Sequence, residues 1–215
     1  MKLSMPVRIV SAAAAGGLGL LAVRLLRARG RAGRGEEITE LLRSRHDAAR
    51  ALMDRYDGAP SEEERGGIVD ELRRMLSVHE SVEEQIVHPV ARRVVPGGGS
   101  IVDGLLQQEK EGKEMLAAIE RSRPASAERA ELVTRLFAGV RQHAAAEENE
   151  LFPLLRLHLD ATQRARIGAA AERAEGMAPT HPHPNAPSTP PGNVLVGTPV
   201  AVLDRVRDRM SRPSS

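Results

Sequence analysis

Two stretches of this chain repeat one arrangement of ionisable side chains. His79 to Pro89 reads HESVEEQIVHP and His143 to Pro153 reads HAAAEENELFP, an offset of 64 residues. Each holds a His, a Glu pair four and five residues on, and a Pro ten residues on. Helical spacing places His79 and Glu83 on one face, one turn apart, and does the same for His143 and Glu147. Glu84 and Glu148 fall about 100° further round and are expected in solvent. The His–Glu faces coincide with core-type stripes: His79, Glu83, Ile86 and Val90 in the first stretch, Leu136, Val140, His143, Glu147 and Glu150 or Leu151 in the second. Burying an unpaired carboxylate is unfavourable, so carboxylates in such stripes are normally paired or coordinate a metal.

Two further helical stripes carry one polar residue each. Leu42, His46, Ala49, Met53 and Tyr56 follow a 4-3-4-3 spacing, as do Leu105, Glu109, Gly112, Leu116 and Ile119. His46 and Glu109 occupy equivalent places, each followed by a small residue that leaves room for a metal, a water or a diatomic molecule. Six candidate metal ligands therefore converge: His46, His79, Glu83, Glu109, His143 and Glu147. Imidazole and carboxylate suit iron, manganese or zinc, and a bridging Glu suits a dinuclear centre. A lone His on an apolar stripe is usually a hydrogen-bonded core residue; the repeated pair is what favours metal. Glu109 is the weakest candidate, because its stretch is rich in Glu. His88 lies about 140° from Glu83 on an ideal helix and is read as surface or outer shell, its counterpart Phe152 as packing. His158 is too far along to share the centre, and Tyr56 is read as core.

The elements that must position these residues are helices. Ala, Leu, Arg and Glu dominate, and the aromatic residues are Tyr56, Phe137 and Phe152 alone, which argues against a sandwich or barrel. Helical patterning predicts elements over about 36–57, 61–95, from Ser100 to before Pro124, and from Ser126 through Pro153 to about Leu159, with a short fifth helix capped by Asp160. Ser61 and Glu64 are placed as a capping box. Long helices joined by short loops predict an all-α, antiparallel up-down four-helix bundle over residues 36–175.

Both ends differ from this domain. Residues 1–35 contain an apolar run from Ile9 to Val23 followed by an arginine cluster. No small-residue cleavage site follows the run, as a secretory signal would require, and it is short for a full span. A membrane anchor through residues 6–26 competes with a flexible extension. The anchor reading puts the arginines, and the domain, on the cytoplasmic face of the membrane. Residues 176–215 begin with a Pro-rich stretch containing His181 and His183 and end in the amphipathic TPVAVLDRVRDRM.

The pattern resembles the hemerythrin-like, or HHE cation-binding, family over about residues 36–160. That family carries a His on its first helix, His-x-x-x-Glu on the second, a His on the third, and a His plus an acidic residue on the fourth. His46, His79, Glu83, His143 and Glu147 match it, and Glu109 stands where a His is expected. The resemblance implies two iron ions with oxo or hydroxo bridging, which bind, sense or reduce O2, peroxide or NO; manganese or zinc are the lesser alternatives. The Glu in place of His makes the set harder and more anionic, which favours ferric iron and reduction, sensing or iron handling over reversible oxygen carriage. A peroxidase or catalase with iron or manganese is one alternative function, a metal-free helical interaction module another.

Other chemistries find no support. The chain has no Cys, which excludes thiol nucleophiles, zinc–thiolate sites and iron–sulfur clusters. The net charge is +2 and acids are mixed through the centre, so nucleic acid is not an expected partner. PGGGS lacks the Lys of a phosphate loop and follows no strand, and no nucleophile elbow is present. A bundle interior offers no sugar cleft for a pair of glycosidase carboxylates.

Overall fold

The computed structural model describes residues 36–178. The expectations for residues 1–35, for His181 and His183 and for the terminal amphipathic stretch lie outside that range. Among the described residues there is no strand, and no helix is long and apolar enough to cross a membrane. The helices are α1 (Ile38–Gly58), α2 (Glu62–Val82), α3 (His88–Val94), α4 (Gly98–Arg121), α5 (Ala127–Ala146), α6 (Phe152–His158) and α7 (Ala161–Glu175). A π-turn over Glu83–Val87 joins α2 to α3, and a second over Glu147–Leu151 joins α5 to α6. The four rods of the bundle are therefore α1, α2–α3, α4 and α5–α6, as the patterning predicts.

Local chemistry sets the rod ends. The Ser61 hydroxyl accepts from the Glu64 backbone N–H at 3.2 Å, half of the expected capping box. Ser126 does the same for Arg129. Asp160 and Gln163 form the complete reciprocal box at the start of α7. Between α3 and α4, Gly97 takes φ 73°, open to glycine without strain. The next residue, Gly98, packs so tightly that a Cβ there would lie 2.4 Å from the Ala91 carbonyl oxygen.

Both π-turns precede a proline. Pro89 and Pro153 have no N–H, and in a straight α-helix their rings would meet the carbonyls of Gln85 and Asn149. Widening by one residue relieves this: the His88 N–H reaches the Glu83 carbonyl and the Phe152 N–H reaches that of Glu147, each five residues back. The sequence repeat thus becomes a structural repeat. Continuous α-helix was the expectation here, and the register beyond Glu83 and Glu147 differs from it for this reason.

The core is split in two. One apolar cluster includes Leu41, Leu42, Val82, Ile86, Leu105, Leu151 and Phe152; the other includes Leu52, Met53, Leu72, Leu116, Leu136 and Phe137. On α1, Leu42 belongs to the first and Met53 to the second, with His46 between them. On α4, Leu105 and Leu116 flank Glu109 in the same way. A polar layer therefore crosses the bundle, sealed by hydrocarbon at both ends. Each large apolar side chain buried there contributes about 1.5–3 kcal/mol, which offsets the unfavourable burial of the layer. Helix α7 packs on α1, α2 and the first π-turn. Gly168 permits this, since a Cβ there would sit 2.1 Å from the Glu36 carbonyl oxygen.

Candidate metal centre

The polar layer contains all six expected residues. His46, His79, Glu83, Glu109 and Glu147 are buried, with Glu83 and Glu147 fully excluded from solvent, and His143 is nearly so. His79 Nε2 lies 3.0 Å from Glu83 Oε1 and 3.2 Å from His46 Nε2, which in turn lies 3.2 Å from Glu147 Oε2. His143 Nε2 faces both carboxylates, 3.6 Å from Glu83 Oε2 and 3.7 Å from Glu147 Oε2. One atom from each of His46, His79, Glu83 and Glu147 falls within a mutual 4.8 Å, a spacing able to enclose a cation. Glu109 does not join that group; it meets Glu83 in a second one, described below.

The donor chemistry fits a cation. Both oxygens of Glu83, Glu109 and Glu147, both ring nitrogens of His143 and Nδ1 of His79 are buried without a hydrogen-bond partner. Leaving one such group unsatisfied costs about 1–3 kcal/mol, more when it is charged. So many in one layer are unfavourable unless a positive charge occupies the space between them.

The ionisation pattern has the same origin. Burial lowers the His143 pKa, but Glu83 and Glu147 facing the ring more than reverse this and raise it to about 9. At 3.6–3.7 Å these are charge contacts rather than hydrogen bonds. Burial also disfavours charge on His79, and Glu83 again outweighs it, so the pKa rises. Burial pushes Glu83 upward, yet the His79 charge and the His143 and His79 contacts hold it well below the ordinary carboxylate range. Glu109 and Glu147 are pushed up, by burial first and by Glu83 second.

Two expectations need correction. Glu84 and Glu148 are not in solvent. Glu84 is buried, 2.5 Å from Lys113 Nζ on α4. Glu148 accepts from His46 Nδ1 at 2.8 Å and from Arg50 at 2.8 Å, with Arg43 at 3.4 Å. A turn of 100° away from a bundle axis meets the neighbouring helix before it meets water. The Glu148 contact places the proton on His46 Nδ1 and turns the Nε2 lone pair inward, the arrangement by which outer carboxylates orient metal-binding imidazoles.

Several contacts around the layer escaped the sequence reading. Lys113 Nζ also lies 3.7 Å from Glu80 Oε2 and 4.0 Å from Glu109 Oε2, so one partly buried ammonium serves three carboxylates. Glu80 is buried, and burial raises its pKa to about 7. Phe152 stacks on His46 with centroids 5.8 Å apart and planes 7° from parallel. Of the two places expected for His88, surface or outer shell, the surface one does not hold: it is buried against Glu109. A signal for Lys113 was present: it follows Glu109 by four residues, the spacing of a shared helix face.

A cavity of about 70 Å³ adjoins the layer between α2, α4 and α5. His79, Glu80, Gly112, Met115, Gly139 and His143 are among its walls. Gly112 thus supplies the space expected beside Glu109, whereas Ala49 packs into the second apolar cluster.

Fold and layer together define an all-helical bundle with a buried His/Glu cluster compatible with metal binding. The hemerythrin HHE cation binding domain matches residues 37–155, more than half of the chain, and the chain belongs to that family. An uncharacterised hemerythrin-like protein of Schizosaccharomyces pombe is 26% identical over 138 residues, which cover 64% of this chain and 68% of that protein. The crystal structure of a hemerythrin HHE cation binding domain-containing protein from Mycobacterium kansasii superposes with a TM-score of 0.53 at 18% identity, covering 66% of this chain and 88% of that one. At that identity the likeness speaks for the fold alone.

Proposed function

We propose that the polar layer holds two iron ions and that the protein reduces or senses a small oxygen species, with peroxide the leading candidate, O2 and NO the others. The observation that carries the reading is the set of unpartnered carboxylate oxygens on Glu83, Glu109 and Glu147, buried together with inward-facing imidazoles. His46, His79, Glu83, Glu109, His143 and Glu147 would hold the metal, and Glu83 stands between the two groups as the natural bridge. Bound iron would supply one-electron redox chemistry and Lewis acidity toward a small oxygen ligand.

The chain's own residues supply the rest. Glu148 and Phe152 fix the His46 ring, and Lys113 balances the acids on the α4 side. The two apolar clusters close the layer at both ends. The cavity suits a few atoms: about 70 Å³ is well short of the roughly 300–1,000 Å³ that encloses an organic ligand. Its walls include His79 and His143, so a small molecule inside it touches the layer directly.

The test is an absorption spectrum of protein purified without oxygen, loaded with ferrous iron and exposed to air. An oxo-bridged diferric chromophore is expected, bleached and regenerated on cycling with reductant and hydrogen peroxide. Absence of stoichiometric metal, with no change in melting temperature on adding iron, overturns the reading in favour of a metal-free interaction module. Rapid catalytic disproportionation of peroxide without added reductant favours a catalase instead.

A further inference from the structure

The first π-turn brings one more imidazole into the layer. On an ideal α-helix His88 would sit about 140° away from Glu83. The widened turn spreads one revolution over an extra residue, and the His88 N–H bonds to the Glu83 carbonyl, so residue 88 stacks over residue 83 instead. The His88 side chain is 3% exposed. Neither ring nitrogen has a hydrogen-bond partner, and Nε2 lies 3.5 Å from Glu109 Oε1. Atoms of Glu83, His88 and Glu109 all fall within 4.8 Å of one another, separately from the group formed by His46, His79, Glu83 and Glu147. Glu83 is common to both.

We infer that His88 is a metal ligand: with Glu109 and Glu83 it forms a second pocket for a divalent or trivalent transition-metal ion, and Glu83 bridges the two pockets. This rests on the metal-centre reading and adds a residue to it. The inference accounts for three features together. The unpartnered imidazole gains a partner through its lone pair, and so do the Glu109 oxygens. The His expected on α4, where Glu109 stands, is replaced by one from the neighbouring α2–α3 rod rather than lost. The centre is also made asymmetric, because the position that matches His88 in the 64-residue repeat is Phe152, which stacks on His46 and has no donor atom. With His143 Nε2 3.6–3.7 Å from Glu83 and Glu147, the first pocket has three imidazoles with two carboxylates, and the other has one imidazole with two carboxylates.

The experiment is an anaerobic titration of the full chain with ferrous iron, followed by metal analysis of the desalted protein. The variants are His88→Phe, which copies the residue at the repeat position, and His88→Gln, which keeps a polar group. Wild-type protein takes up two equivalents. Each variant retains the first, and its affinity for the second falls by more than about 100-fold, beyond what changes outside the coordination shell cause. Two equivalents bound with unaltered affinity by either folded variant overturn the assignment of His88 while leaving the metal centre standing. A single equivalent in wild-type protein overturns the second pocket. No uptake by wild-type protein fails the metal-centre reading itself. If neither variant folds, the ring nitrogen resonances of His88 in the unaltered chain decide: they move on adding zinc, and their constancy overturns the inference.

Discussion

Metal-free protein should show an unusual pH dependence of stability. In chelated protein His143 is expected to titrate at about 9 rather than its ordinary 6.5, because Glu83 and Glu147 face its ring. Between those values the folded state keeps a proton that the unfolded state has released. Stability therefore falls as pH rises, by up to about 1.4 kcal/mol per pH unit for one such proton. Across pH 6.5 to 9 this amounts to about 3 kcal/mol, or a melting temperature roughly 6–12 °C lower at the alkaline end. Neighbouring groups share the sign: His79 is also raised, and so are Glu80, Glu109 and Glu147, with Glu80, at about 7, losing most of its contribution below this range. The opposing groups act elsewhere. His88 is lowered to about 4, so its contribution grows from pH 4 to 6.5 and is complete above that. Glu83 is lowered and acts in acid. The assay is calorimetry of chelator-treated protein at several pH values between 6.5 and 9, repeated on His143→Gln. The slope should shrink by about one proton in the variant. Loading metal should flatten or reverse it, since ligand protons are displaced on binding. A melting temperature that rises with pH in the metal-free protein would refute the assignment of buried, proton-retaining groups to this layer.

Three further perturbations probe the supports of the site. Glu148→Ala removes the acceptor for His46 Nδ1 and should weaken metal binding by about 10–100-fold with little loss of helix content, as read by competitive chelator titration and circular dichroism. Lys113→Met strips the shared cation from Glu80, Glu84 and Glu109 and should destabilise the metal-free protein at neutral pH by about 3 kcal/mol in urea unfolding, less in acid where the acids are protonated. Gly168→Ala drives a methyl group toward the Glu36 carbonyl oxygen, so α7 must move off α1; a loss of about 1–3 kcal/mol in thermal or urea unfolding is expected with metal stoichiometry unchanged.

Much of this molecule is legible along the chain because helical periodicity is a local property. The repeat at 64 residues, the apolar stripes and the caps at Ser61 and Asp160 report on face and end without reference to any neighbour. They were enough to place four rods and to bring His46, His79, Glu83, Glu109, His143 and Glu147 to one depth. What periodicity could not reveal is where the period itself changes. Pro89 and Pro153 turn an α-helix into a π-turn, and one added residue per turn carries His88 from an outer face to the layer. Nor could it tell a solvated flank from a packed one. Glu84 and Glu148 have the same local pattern as surface acids, and only the placement of Lys113 on α4 and of His46 and Arg50 on α1 makes them part of the site. Face is written in the spacing of a helix, whereas partnership depends on which other helix lies alongside, and only the packed tertiary structure decides that.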